Sequence, residues 1–340
     1  MDGEDVNGGV EHVFGPRSTT AIGSLPHRDP VGAATCAFAA TTLPCIPSLP
    51  RRSPAEGMVA QAVGSLPGVT LGQYGSISID PSRFGSDIVV GADLRGESFG
   101  GLRAFLDLAA RRDHRGPVKW QFIGPVTLGL SLRRAGAPSS VAFRLAVNAV
   151  RAHLDAIATA VACRLPHSRQ IVLVDEPSFG SLMTSSFPIA PDVAIDLVSE
   201  AMSVLEHRAV VGLHCCDRAD IPSLLATGPR LLSLPVTSAV PDAAGYLQRY
   251  LDRGGVVVWG AVATDGPVLN TPDRSWRALA GVWRDLVERG VDADALVQRS
   301  IISPQCGLGL HSRAAAQRVL ELTSELAERV AAESRAGLNR

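Results

Sequence analysis

Short runs of aliphatic and β-branched residues recur along this chain, and amphipathic stretches follow most of them. The runs are Ile171–Val174, Ala209–Gly212, Leu231–Leu234, Val256–Trp259 and Ser300–Ser303. The stretches are Val141–Cys163, Pro191–His207, Pro241–Arg253, Thr271–Arg289 and His311–Ala332. Runs without a polar face read as buried parallel strands, and strand-then-helix repetition demands crossovers, so the chain is constrained to an α/β architecture. The first half is less regular. Its strand candidates are Thr19–Ser24, Ile88–Val90 and Val118–Phe122.

Several strand ends carry a polar or reactive residue: Ser24, Asp175, His214, Asp265 and Cys306. A (β/α)8 TIM barrel gathers such residues on one face, whereas a doubly wound sheet gathers them only at its switch point. Their spread over the whole length favours a single-domain (β/α)8 barrel over residues 18–333. Residues 1–17 read as a disordered leader and 334–340 as a frayed C-terminus. Leu43–Gly100, rich in Pro, Gly and Ser, reads as long loops over the barrel mouth.

Charge narrows the partners. The 32 basic and 33 acidic side chains nearly cancel, and the basic turn Arg111–Arg115 has no aromatic interleaving, so nucleic acid is not implied. No apolar stretch reads as long enough to cross a bilayer, and the acidic, glycine-rich start is unlike a targeting peptide. The expectation is a cytoplasmic protein with no membrane partner. Six cysteines in 340 residues are too few for a disulfide scaffold and point to metal or thiol chemistry. Cys36, Cys45 and Cys163 read as small core residues, and Trp120, Trp259, Trp276 and Trp283 as packing residues.

The strongest constellation is His214-Cys-Cys216 with Cys306. An H-x-C at one strand end and a cysteine at a later one bring a mixed nitrogen and sulfur set to one mouth, which suits zinc with a position left open for substrate. On the H-x-C alone, buried core cysteines beside a hydrogen-bonded histidine are the more frequent reading, and the other motifs change that weighting. Asp175 reads either as an anchor for a substrate amine or as a helix cap before Pro177. His27 could reach the mouth from the turn after Ser24, and His311 opens the last helix.

Ile22-Gly-Ser-Leu-Pro26, Gly124-Pro-Val-Thr127, Asp175-Glu-Pro177, His214-Cys-Cys216 and Pro304-Gln-Cys-Gly-Leu308 occur here in one order. In that order the chain resembles the catalytic domain of cobalamin-independent methionine synthase, from about Thr20 to about Leu322. The resemblance implies a (β/α)8 barrel with a zinc ion that activates a thiol, such as homocysteine, for methylation. It implies His214, Cys216 and Cys306 as zinc ligands, and Ile22, Gly23 and Ser24 at the amino-acid thiol, with Ser24 holding its carboxylate. Asp175 would accept the substrate ammonium.

Three departures stand out. The family's glutamate ligand should follow the next strand, yet Leu231-Leu-Ser-Leu-Pro235 ends in proline, and no acidic residue lies between Asp220 and Asp242. The family's mechanistic histidine is absent, and Asp265 is the catalytic candidate in its segment. The His-Gly-Glu motif has no copy. Glu56 is the nearest substitute, equally readable as a solvated acid at a helix start. A chain of one barrel resembles the short forms of the family, whose methyl donor is methyltetrahydrofolate or a methylated corrinoid protein. Two other functions stay open. One is a lyase related to uroporphyrinogen decarboxylase, with Arg51 and Arg52 for substrate carboxylates. The other is a non-catalytic paralogue that binds zinc or a thiol.

Overall fold

The computed structural model describes residues 14–64, 66–73, 75–80, 82–83 and 90–336. In chain order the elements are α1 (Pro30–Ala40), α2 (Met58–Val63), β1 (Val69–Leu71), β2 (Ile77–Ile79), α3 (Gly100–Arg111), β3 (Val118–Ile123) and α4 (Pro125–Arg134). There follow α5 (Ser139–Arg164), β4 (Gln170–Asp175), α6 (Pro191–Ser203), β5 (Val210–His214), α7 (Ile221–Ala226) and β6 (Leu231–Pro235). The last are α8 (Ala244–Asp252), β7 (Val256–Val262), α9 (Asp273–Glu288), α10 (Ala293–Gln298), β8 (Ser300–Pro304) and α11 (Arg313–Ala336). Strands β3 to β8 form one parallel sheet in sequence order, and β1 and β2 pair as a separate antiparallel hairpin. Local chemistry sets many helix starts. Asp29 accepts from the Val31 and Gly32 amides ahead of Pro30, and Asp220 and Asp292 cap α7 and α10 in the same way.

The closed (β/α)8 barrel expected from the sequence is not formed. The parallel sheet has six strands, curls through 192° and stays open. Thr19–Ser24, expected as the first strand, makes only isolated bridges, Thr19 to Ile302 and Ser24 to Ser48. Next to β3, the segment around Cys45 makes a single bridge to Lys119. The reason is chemical. Pro44, Pro47 and Pro50 remove amide donors at every third position of that segment, and a ladder cannot be built on it. Gly23 interrupts the other segment with a φ of 153°.

The six remaining strand expectations that fall on β3 to β8 hold to within a few residues. Ile88 and Val89 lie outside the described residues, as do residues 1–13 of the expected leader and 337–340 of the expected frayed end. Leu43–Gly100 is more structured than expected, with α2 and the β1–β2 hairpin inside it. Helix α5 corrects the bilayer expectation, since by length and composition it is long and apolar enough to cross a membrane. Here it is a packing helix, with Leu154, Ala158 and Val161 fully buried.

Side chains alternate across each strand, so the two faces of the sheet carry separate cores. Val172, Val174, Leu213, Leu232, Val257 and Ile302 join the large core shared with the helices. Ile171, Leu173, Val210, Leu231, Val256, Val258 and Ile301 form a second apolar cluster, with Phe14 and Leu43, on the concave face. On β3 the polar Lys119 and Gln121 stand level with Ile171 and Leu173, and farther along the same face, toward the strand ends, the other strands turn polar at Asp175, His214, Ser233 and Ser303. Register aligns three of the strand-end residues. Ile123 pairs with Asp175, Asp175 with His214, and His214 with Ser233, in one row across four strands.

His153 of α5 gives the helix layer a pH dependence. It is buried against the rings of Phe122 and Phe99, its Nδ1 lies 2.8 Å from the Ala149 carbonyl, and burial holds its pKa below the usual 6.5. Below about pH 6.5 the unfolded chain takes up a proton that the folded chain refuses, so stability falls as pH drops through that value. His27 and His214 act in the same direction. Asp175 and Glu176, which burial raises to about 8 and 7, act the other way over the same range, so the share of His153 is read as a difference between variant and parent in thermal melts from about pH 7.5 to 5.5. His153→Leu should lose less stability than the parent as pH falls, by one proton's share, and parallel melting curves would contradict the assignment.

Candidate active site

A cavity of about 460 Å³ opens at the C-terminal ends of the strands, lined among others by Ile22, Ser24, Asp175, His214, Cys216 and Cys306. These come from four separate segments of the chain. Each of the expected zinc ligands and most of the expected substrate contacts therefore meet at one place. Glu56 also lines this cavity. Gly23 is not among its lining residues. Asp265 stands apart: it is exposed in the segment after β7 and does not line the cavity. His27 is buried near Arg313 with its Nδ1 unpartnered, and it too lies outside the lining.

The row of strand ends fixes His214. Its Nδ1 lies 2.8 Å from the Ser233 hydroxyl, which leaves Nε2 as its second donor atom. Burial, reinforced by the Lys119 charge, pulls its pKa down to about 3, so the ring is neutral. Cys216 and Cys306 reach each other from opposite sides of the opening. The Cys216 thiol donates to the Cys306 sulfur, and this hydrogen bond, with help from the Gly307 amide, draws Cys306 down to about 6 and pushes Cys216 up. Cys215 faces the other way, buried among the helices, and burial raises it to about 11. Among the described residues no three His, Cys, Asp or Glu side chains form a ready-made metal cluster. The donor chemistry nonetheless fits a borderline-soft cation: a neutral imidazole with one nitrogen committed to a serine, and two thiols in mutual contact.

Among the described residues that line the cavity, Asp175 is the unsatisfied group. Its Oδ1 is buried without a hydrogen-bond partner, and burial raises its pKa to about 8 against the pull of Lys119. A buried acceptor left open in a cavity wall is a place for a ligand donor. Ser24 is committed on one side: its oxygen accepts from the Gly309 amide at 3.1 Å, while its carbonyl accepts from Leu308. The Pro304–Leu308 motif is thereby tied to the Ile22–Pro26 motif. Glu56 is fully committed, accepting from the Leu49 and Gly101 amides and from Arg52 at 2.8 Å. It binds three loops together. Arg51 donates to the carbonyls of Gly309 and Leu310, so neither arginine of the lyase alternative is free for substrate carboxylates.

Four residues that the sequence reading passed over belong to the site or its walls. Glu176 is fully buried and accepts from the Val126 and Thr127 amides and the Thr127 hydroxyl, at 2.7, 2.8 and 2.5 Å. It caps α4 from another strand, and burial raises it to about 7. The second acid of Asp175-Glu-Pro177 was the signal. Lys119 and Gln121 were signalled by polar residues at alternate positions of an otherwise apolar strand, Val118-Lys-Trp-Gln-Phe-Ile123. Ser233 interrupts Leu231–Leu234 in the same way.

By sequence the chain matches no protein family and no curated relative. Among solved structures it is similar to a candidate vitamin-B12 independent methionine synthase from Listeria monocytogenes, with a TM-score of 0.52 at 15% identity. The likeness covers 79% of this chain and 77% of that one. At that identity it shows a shared fold.

The Glu176 cap has a measurable consequence. Glu176→Gln keeps the shape but cannot accept all three donors, and leaving a buried amide unmet costs about 1–3 kcal/mol. Urea unfolding should show that loss, with Glu176→Ala losing more. Equal stability of Glu176→Gln and the parent would mean that the cap carries no energy.

Proposed function

We propose that this protein is a zinc-dependent methyltransferase that methylates a small thiol, with homocysteine as the acceptor and methionine as the product, and that it acts in the cytoplasm. The observation that supports the reading is the convergence of His214, Cys216, Cys306 and the unpartnered Asp175 Oδ1 on one cavity. Methionine-synthase-like motifs and a fold neighbour described in those terms agree with it.

In this reading His214, Cys216 and Cys306 hold the metal, which when bound favours the thiolate form of the acceptor. Asp175 Oδ1 accepts from the acceptor's ammonium. The Ser24 hydroxyl, whose oxygen already takes the Gly309 amide, donates its proton to the carboxylate, beside the backbone of Ile22 and Gly23. Phe122, Pro50 and Pro177 wall the cavity and shed water from the reacting sulfur. The methyl group passes from donor to sulfur by in-line displacement, and the thiol proton leaves to solvent.

The donor follows from the carboxylates. Among the described residues only Asp175 and Glu56 bring one to the cavity, and Glu56 is committed to Arg52 and two amides. Pro235 ends β6 where the resemblance calls for a glutamate. The ligand set is then two thiolates and a neutral imidazole. Such a set acidifies a bound thiol but leaves it a weaker nucleophile, which calls for a donor more reactive than methyltetrahydrofolate, namely a methylated corrinoid protein.

Metal analysis of purified protein should find zinc near one per chain, lost in Cys216→Ala and Cys306→Ala. Methyl transfer to homocysteine should be faster from a methylated corrinoid than from methyltetrahydrofolate. Zinc-free wild type, or binding untouched in both variants, defeats the metal assignment. Equal turnover with the two donors defeats the donor assignment, and homocysteine binding without transfer from either marks a binding protein.

A further inference from the structure

Lys119 is 1% exposed, on the concave face of β3, level with Ile171 of the apolar cluster. Burying an ammonium is costly unless its donors are met. No carboxylate stands within ion-pair distance of it among the described residues. Its Nζ donates instead to the Ile22 carbonyl at 2.5 Å, the Ala21 carbonyl at 2.9 Å and Gln121 Oε1 at 3.1 Å, with Cys45 Sγ at 3.5 Å.

The acceptors are the telling part. Thr19–Ser24 has no ladder with either neighbour, and no backbone amide among the described residues donates to the carbonyls of Ala21 or Ile22. The ammonium supplies what a neighbouring strand would otherwise supply. A lysine only donates, so it must meet the oxygen of the Gln121 amide. The nitrogen of that amide is turned toward the Ile46 carbonyl, 3.4 Å away. Gly23 packs on the same amide so closely that a β-carbon there would overlap it. Lysine, glutamine and glycine thus form one unit beneath Ile22 and Ser24.

We propose that Lys119 is the positioning residue of the substrate site: its buried ammonium holds the Ile22-Gly23-Ser24 turn and the Gln121 amide in the arrangement that receives the small-molecule acceptor. The acceptor's identity rests on the proposed function; the anchoring does not.

Hydrogen exchange read by mass spectrometry tests the anchoring alone. In Lys119→Met, peptides spanning residues 18–26 should exchange about tenfold faster or more, while peptides from β5 to β7 keep the parent rate. Gly23→Ala, which displaces the Gln121 amide and leaves the lysine in place, should give the same local signature and covers the case in which Lys119→Met does not fold. Unchanged exchange at 18–26, or faster exchange spread evenly over all strands, overturns the proposal. Homocysteine calorimetry then tests the consequence, with affinity falling about tenfold or more in either variant while zinc content stays at the parent level. Parent-like affinity in a variant with a loosened turn also overturns it. Should the parent itself bind no homocysteine, the proposed acceptor fails, and exchange alone decides the role of Lys119.

Discussion

Neighbouring side chains on a strand face opposite ways, and six parallel strands, in register except for a shift between Gly260 and Val262, stack them into tiers. That constraint decides what can stand next to what at the cavity. The concave face is filled from below by Ile171, Leu173, Val210, Leu231, Val256 and Ile301, which exclude water and give the next tier a dry floor. On that floor Asp175, His214 and Ser233 stand in adjacent strands at the same level. A shift of one residue in any of these strands would send its polar group into the helix layer and an aliphatic one into the cavity.

The buried charges around this tier are treated unequally, and the differences separate architecture from chemistry. Glu176 has three donors and holds a helix start. Glu56 has three and holds loops. Lys119 has carbonyls and an amide oxygen. Each of these groups is satisfied within the protein, as structural buried groups are. Asp175 keeps one oxygen unmet although it is as deeply set. An apolar replacement would be cheaper for the fold alone, and among the described residues the open oxygen is the one buried acceptor of the cavity wall left free to take a donor from outside the protein.

The parallel sheet was legible because strands buried on both faces leave uninterrupted aliphatic runs, as at Ile171–Val174 and Val256–Trp259. The convergence of His214, Cys216 and Cys306 was legible because all three follow such runs directly. Closure of the barrel was misread. Thr19–Ser24 has a strand-like composition, but whether it pairs depends on its neighbour, and the prolines at 44, 47 and 50 withhold that neighbour's donors. The position of Asp265 was not legible for a related reason: the segment after β7 carries it out to solvent, and a strand-end position does not fix the direction of a long loop. Glu176 and Lys119 act on partners about 50 and 97 residues away in sequence. Their local patterns marked them as unusual, and only tertiary structure could say for whom.

An open parallel sheet has two edges, and here they are the outer sides of β3 and β8. A bare edge is a template for a strand from another molecule. Both edges are covered, one by the proline-bearing segment around Cys45 and the other by Thr19–Ser24, each attached through single bridges. The two covering segments meet each other through the Ser24–Ser48 bridge, where the Ser48 amide donates to the Gly23 carbonyl and the Leu25 amide to the Ser48 carbonyl. The segments that interrupt the ladder therefore also cover the edges it leaves. The protein can leave a mouth open over its cavity without exposing a surface on which copies of itself would accrete.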